Sequence, residues 1–178
     1  MLWDAEVSGL AVRVLPTGRK TTVEAIDTFD GPLQEAVPPL SVTLRLTDDL
    51  DISRGDLICG PDDRPSLERE LTADVCWMAD APLRPRGRYL IKHAAHTVAA
   101  VVDELVDRVD VHELDREGAP AELGLNDIGR VRLRSAKPVA FDPYARNRAT
   151  GGFIFIDEAS NETVGAGMIV PAPAPARP

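Results

Sequence analysis

Short apolar runs separated by clusters of Gly, Pro, Asp and Thr recur along the chain, and that spacing predicts strands joined by turns. Residues 10–15 and 21–26 flank Pro16-Thr17-Gly18-Arg19, which reads as a hairpin with a tight turn. In the second run Thr22, Glu24 and Ile26 alternate with Thr21, Val23 and Ala25, and Phe29-Asp30-Gly31-Pro32 is a further turn. Between residues 40 and 46, Val42, Leu44 and Leu46 share one face while Ser41, Thr43 and Arg45 share the other, the mark of a half-buried strand. A polar connection then leads to the short run 57–59. Residues 60–65, Gly-Pro-Asp-Asp-Arg-Pro, have the chemistry of a linker. Beyond it, 67–78 and 88–92 read as strands around a turn at 82–87. Residues 129–134 and 152–156 are strands again, the latter followed by a partner at 163–170. The Pro/Ala tail 171–178 is not expected to pack.

One segment gives two signals. Val98, Val101, Val102, Leu105 and Val109 follow helical spacing, with Asp103, Glu104, Asp107 and Arg108 filling the rest. Yet five of the residues from 98 to 109 are valine, whose β-branched side chain favours strands. Pattern favours a helix there and composition a strand.

A length of 178 residues fits one large domain or two small ones, and a 44% hydrophobic share supports a real core. With aromatics at 4%, that core must be mostly aliphatic. No run approaches the roughly 18 apolar residues of a membrane span, and no export signal opens the chain, so a cytoplasmic protein is expected. Twenty-nine acidic and 20 basic residues give a net charge of −9, which argues against charge-driven binding to nucleic acid or anionic membranes. Two cysteines are too few for a disulfide framework. Cys76, inside Val75-Cys76-Trp77-Met78, reads as a buried, inert thiol.

The motifs for nucleotide, dinucleotide and acyl chemistry are absent: no P-loop, no G-x-G-x-x-G, no nucleophile elbow and no C-x-x-C. Gly165-Ala166-Gly167 lacks the following helix that a phosphate cradle needs, and reads instead as glycines permitting close approach inside a barrel. His93 and His96, three apart on a strand, would point to opposite faces and could not share a metal. Asp48, Asp49 and Asp51 read as a solvated loop. No catalytic, cofactor-binding or metal-ligating residue is therefore expected. The one basic concentration is Arg130, Arg132 and Arg134 on a single strand face, with Arg146 and Arg148 a short loop later. These five are the candidate partner-contact residues, with an acidic protein surface ahead of nucleic acid.

Several motifs together resemble one family. They are Phe141-Asp142-Pro143-Tyr144, Asn147-Arg148-Ala149-Thr150-Gly151, Phe153-Ile154-Phe155-Ile156-Asp157 and Asn161-Glu162-Thr163-Val164-Gly165-Ala166-Gly167-Met168-Ile169. Upstream, Leu15-Pro16-Thr17-Gly18-Arg19, Thr28-Phe29-Asp30-Gly31, Asp51-Ile52-Ser53-Arg54-Gly55-Asp56, Trp77-Met78, Asp110-Val111 and Leu125-Asn126-Asp127-Ile128-Gly129 follow in order. The set, from about Val12 to Val170, resembles the C-terminal end of the large, GTP-binding subunit of bacterial sulfate adenylyltransferase (ATP sulfurylase). That family is built like elongation factor Tu, with a GTPase domain followed by two β-barrels.

The resemblance implies an all-β chain. Residues 1–63 would be a partial domain 2-like barrel, 64–170 a domain 3-like barrel, and 171–178 a disordered tail. It also implies a strand at 98–109. The first barrel would lack its opening strands, leaving an open edge near Leu10 to Leu15. GTP and Mg2+ would belong to a GTPase domain whose motifs have no counterpart here. The implied partners are that domain and the small adenylyltransferase subunit. Two other readings stand beside it: an elongation-factor-like barrel pair that binds RNA or a protein, and a truncated product with no activity of its own.

Overall fold

Alternation of inward apolar and outward polar side chains organises nearly every strand, and the fold follows from where that alternation can close on itself. The computed structural model describes residues 9–37, 39–63, 65–110, 113 and 115–171. The Pro/Ala tail beyond Pro171 lies outside the described residues. Two compact units succeed one another, Met1–Pro65 and Ser66–Pro178.

The first unit contains β1 (Ala11–Leu15), β2 (Arg19–Thr28), β3 (Gly31–Leu33), β4 (Thr43–Leu46) and β5 (Leu57–Cys59). The β1–β2 hairpin closes where the Gly18 amide donates to the Val14 carbonyl at 2.7 Å. Gly18 sits at φ +74°, a left-handed conformation that glycine adopts without a Cβ penalty. The second half of β2 pairs with both β3 and β4. Val12, Val23 and Ile26 form the buried centre, with Leu10, Ala36, Val42, Leu44, Leu46 and Ile58 half-buried around them. The sheet does not close among the described residues: its order is β3-β2-β1-β5, with β4 also on β2. The open edge is not where the sequence placed it. β5 returns to the far side of β1, Arg13 opposite Cys59 and Leu15 opposite Leu57, so β1 is flanked on both sides. The edges are β3, β4 and β5.

The second unit comprises β6 (Ser66–Trp77), β7 (Arg88–His93), β8 (His96–Val109), β9 (Arg116–Gly118), β10 (Ile128–Phe141), the helical turn α1 (Arg148–Gly151), β11 (Gly152–Ile156) and β12 (Thr163–Val170). Strand order runs β10-β6-β12-β11-β7-β8, and β10 pairs back onto β8, so six antiparallel strands close a barrel with β9 as a flap on β8. Closure removes the edges that an open sheet leaves exposed. The fold class is thus all-β, one closed barrel and one part-barrel.

Inside the closed barrel, Trp77, Tyr89, Phe155 and Phe153 meet edge to face, with ring centroids 5.2 to 5.9 Å apart. Gly165 and Gly167 make room for them. A Cβ on Gly167 would lie 2.3 Å from the Phe153 ring, and one on Gly165 2.9 Å from the Trp77 ring. Gly167 accommodates a ring alone, while Gly165 also lets the Cys76 carbonyl approach, 3.2 Å from where a Cβ would lie.

Residues 98–109 belong to β8, and the apparent helical spacing has a physical cause. Val98, Ala100 and Val102 point inward at a period of two, as a strand requires. Against β10, Leu133 faces Val102 while Arg132 faces Glu104, and Val131 faces Leu105 while Arg130 faces Asp107. Asp103 and Val106 are therefore extra, bulged residues. The first bulge carries the inward position from Val102 to Leu105, a step of three that mimics a helix.

Candidate functional site

Arg130, Arg132 and Arg134 do share the outer face of β10, but that strand lies between two strands rich in acids. Arg130 grips Asp74 of β6 with a fork, Nε to Oδ1 at 2.9 Å and Nη2 to Oδ2 at 3.0 Å, and this bond holds the guanidinium pKa above its ordinary value. Arg132 donates to Glu104 at 2.8 Å and Arg134 to Asp103 at 3.0 Å, both on β8. Arg116 on β9 adds a bond to Asp107 at 2.6 Å and a longer one to Asp74. The basic strip read from one strand is a ladder of ion pairs once its neighbours are in place. Pairs this exposed contribute roughly 0–1 kcal/mol each.

Arg146 and Arg148 lie elsewhere, on the connection from β10 to β11, and that connection is held by a buried polar hub. Asp142 is 4% exposed. Its Oδ2 accepts from the Thr150 hydroxyl at 2.7 Å, and the Asp142 amide donates to the Thr150 carbonyl at 3.2 Å. Nε2 of buried His93 lies 2.8 Å from that same carbonyl, tying β7 to the loop. Arg146 Nη1 sits 3.3 Å from Asp142 Oδ1, an ion pair whose geometry falls short of a hydrogen bond. The Asn147 side chain caps α1 by accepting from the Ala149 amide. A Cβ on Gly151 would strike the Tyr144 backbone at 2.4 Å, so only glycine lets the loop fold this tightly. The hub thereby fixes Tyr144 and Arg148, whose guanidinium carbon lies 5.8 Å from the Tyr144 ring centroid.

Beside this loop the outer barrel face is apolar. The register sets Ile128, Cys76, Ala166 and Ile154 side by side across β10, β6, β12 and β11, ending at Lys92 on β7. Met168, 42% exposed, stands in the next row opposite Gly152. Together with Tyr144, Arg148 and Ala94 they line a shallow groove of about 570 Å³. Cys76 accordingly does not take the buried place expected of it. Val75 and Trp77 fill the interior, so strand alternation turns Cys76 outward to half-exposure, and Cys59 of the first unit is the buried thiol. The signal for this face was legible: residues 152–156 and 164–170 are free of charge and apolar on both faces, the pattern of strands covered on two sides.

The remaining candidates disperse. His93 and His96 do not follow one another on a strand. They close the β7–β8 hairpin around Ala94-Ala95 and stand directly opposite each other, where the polar partner of His93 is the Thr150 carbonyl. Among the described residues no three His, Cys, Asp or Glu side chains gather as a metal site. Asp48, Asp49 and Asp51 are exposed. No helix among the described residues is long and apolar enough to cross a membrane.

With this geometry in place, comparison with known proteins is specific. Residues 70–170 match the family model described as GTP-eEF1A C-terminal domain-like. The chain is similar to the "Bifunctional enzyme CysN/CysC" of Mycobacterium tuberculosis, 48% identical over 92% of this chain and 27% of the relative. It is also similar to "Sulfate adenylyltransferase subunit 1" of Alteromonas mediterranea, 44% identical over 91% of this chain and 34% of the relative. The resemblance read from the motifs is borne out by these relatives, and the chain spans only 27% and 34% of their lengths. Among solved structures, sup35 complexed with GDP superposes with a TM-score of 0.81 at 17% identity, covering 92% of this chain and 40% of that one, a likeness of fold.

Proposed function

The chain belongs to the GTP-eEF1A C-terminal domain-like family, and from that premise we propose that it is a non-catalytic barrel region of a sulfate adenylyltransferase GTPase subunit. In this reading residues 1–63 are a partial domain 2-like barrel and 64–170 a domain 3-like barrel. They brace a GTPase domain and dock the small adenylyltransferase subunit in the cytoplasm. That complex would couple GTP hydrolysis to ATP + sulfate → adenylylsulfate + diphosphate. The observation that carries the proposal is collinear similarity at 44–48% identity over more than nine-tenths of the chain, joined to a sequence without a P-loop or a G-x-G-x-x-G.

Of the five candidate contact arginines, Arg148 is favoured for the partner side, because Arg130, Arg132 and Arg134 already face carboxylates on β6 and β8 and Arg146 faces Asp142. The same ladder weakens the RNA-binding reading, and the clustered rings of Trp77, Tyr89, Phe153 and Phe155 pack with one another rather than offering a stacking platform. The test is calorimetric titration of the whole chain with GTP and Mg2+. No saturable heat is expected, and micromolar affinity would contradict the proposal.

A further inference from the structure

The outer face of the second barrel departs from the rule that governs the rest of it. Along β10 the outward Arg130, Arg132 and Arg134 are matched by acids on either side; over the next three strands, β6, β12 and β11, the outward side chains include Cys76, Ala166, Met168 and Ile154. A surface row this apolar is left exposed at a cost unless something covers it. Its charged margin is one-sided. Lys92 ends the row, Arg148 stands over Tyr144 beside it, and neither has a carboxylate partner among the described residues. Asp74, the acid opposite Met168, is occupied by the forked bond from Arg130. In a chain of net charge −9, the groove thus offers an apolar floor bordered by two uncompensated cations.

From this complementarity we infer that the groove between Cys76, Ile154 and Met168 docks an apolar protein segment bordered by carboxylates. Resting on the reading given under Proposed function, that segment belongs to the small adenylyltransferase subunit. Apolar contact would supply the buried centre of the interface, and Lys92 and Arg148 at the rim would select an acidic partner and set its orientation. The Asp142–Thr150–His93 hub holds the Arg148 side of the groove in place before binding, so little ordering of the loop is needed.

Cys76 supplies a reporter inside the groove, since Cys59 is fully buried and alkylation of the folded chain reads Cys76 alone. Maleimide labelling is followed on the whole chain, with and without the purified small subunit. The expected result is binding that protects Cys76. It weakens by roughly tenfold or more in Met168→Glu and in Arg148→Glu, both at exposed positions whose melting temperature stays near that of the parent. Charge reversal at Arg132 and Arg134 leaves it unchanged. Binding that neither protects Cys76 nor responds to these substitutions overturns the groove while leaving the proposed function standing.

If the small subunit does not bind at all, that partner is wrong, and two synthetic peptides decide the groove itself. One has a leucine centre bracketed by glutamates; the other carries lysines instead. Protection by the acidic peptide alone supports the inference. Protection by neither, or by both equally, overturns it. Protection that grows with chain concentration and no added partner also overturns it, in favour of a second copy as occupant.

Discussion

The two units share a vocabulary of short antiparallel strands and differ in one respect, closure. In the second, β10 reaches both β6 and β8, and 19 hydrophobic residues from Leu71 to Ile169 form one buried cluster. In the first, five strands stop short of a circle among the described residues, and the buried cluster holds three residues, Val12, Val23 and Ile26. Six of the eight aromatic residues lie in the second unit. The two units differ less in strand count than in whether large side chains meet in an enclosed interior.

The comparison can be broken most forcefully from within. Phe155→Ala, which removes the ring shared by Trp77, Tyr89 and Phe153, is expected to cost the second unit about 3–5 kcal/mol. Urea denaturation followed by tryptophan fluorescence in a Trp3→Phe background, where Trp77 alone emits, checks it; a loss below about 1 kcal/mol would mean that the core is not held as described. Gly167→Ala comes next. Its added methyl must displace the Phe153 ring, and about 1–3 kcal/mol is expected, read as a lowered midpoint at unchanged slope. Asp74→Ala strips Arg130 and Arg116 of a shared acceptor on the barrel surface and should cost about 1 kcal/mol, shrinking as salt is raised.

The smallest effect is one of pH. Asp157 accepts from the amides of Ala159 and Ser160 in the turn between β11 and β12, bonds that hold its carboxyl pKa below the ordinary value. A depressed folded pKa means stability present above the ordinary carboxylate range and lost as pH falls through it toward the folded value. Asp157→Asn should flatten that part of the acid limb of the second unit's stability profile, with a small loss at neutral pH and almost none below the folded pKa.

Much of this was legible from residues alone. Leu44 and Leu46 alternate with Thr43 and Arg45 in the sequence as they do on β4, and Gly18 marks the first hairpin. What was hidden depends on neighbours that a single strand does not reveal. The helical spacing of Val98 to Leu105 is a strand with bulges, and only the pairing with β10 exposes Asp103 and Val106 as extra residues. The arginines of β10 look like a basic patch until the acids of β6 and β8 lie alongside. The His93–Thr150 link joins residues 57 positions apart, so the loop that carries Arg148 could not be assembled from local pattern.

The central claim is that this chain holds one closed barrel and a second unit whose sheet stays open among the described residues. Hydrogen exchange of the whole chain, resolved by segment, tests it most directly. The account predicts that amides of β6, β8, β10 and β12 exchange together, only through global opening, while β3, β4 and β5 exchange earlier through local opening. Equal protection across both units would contradict it.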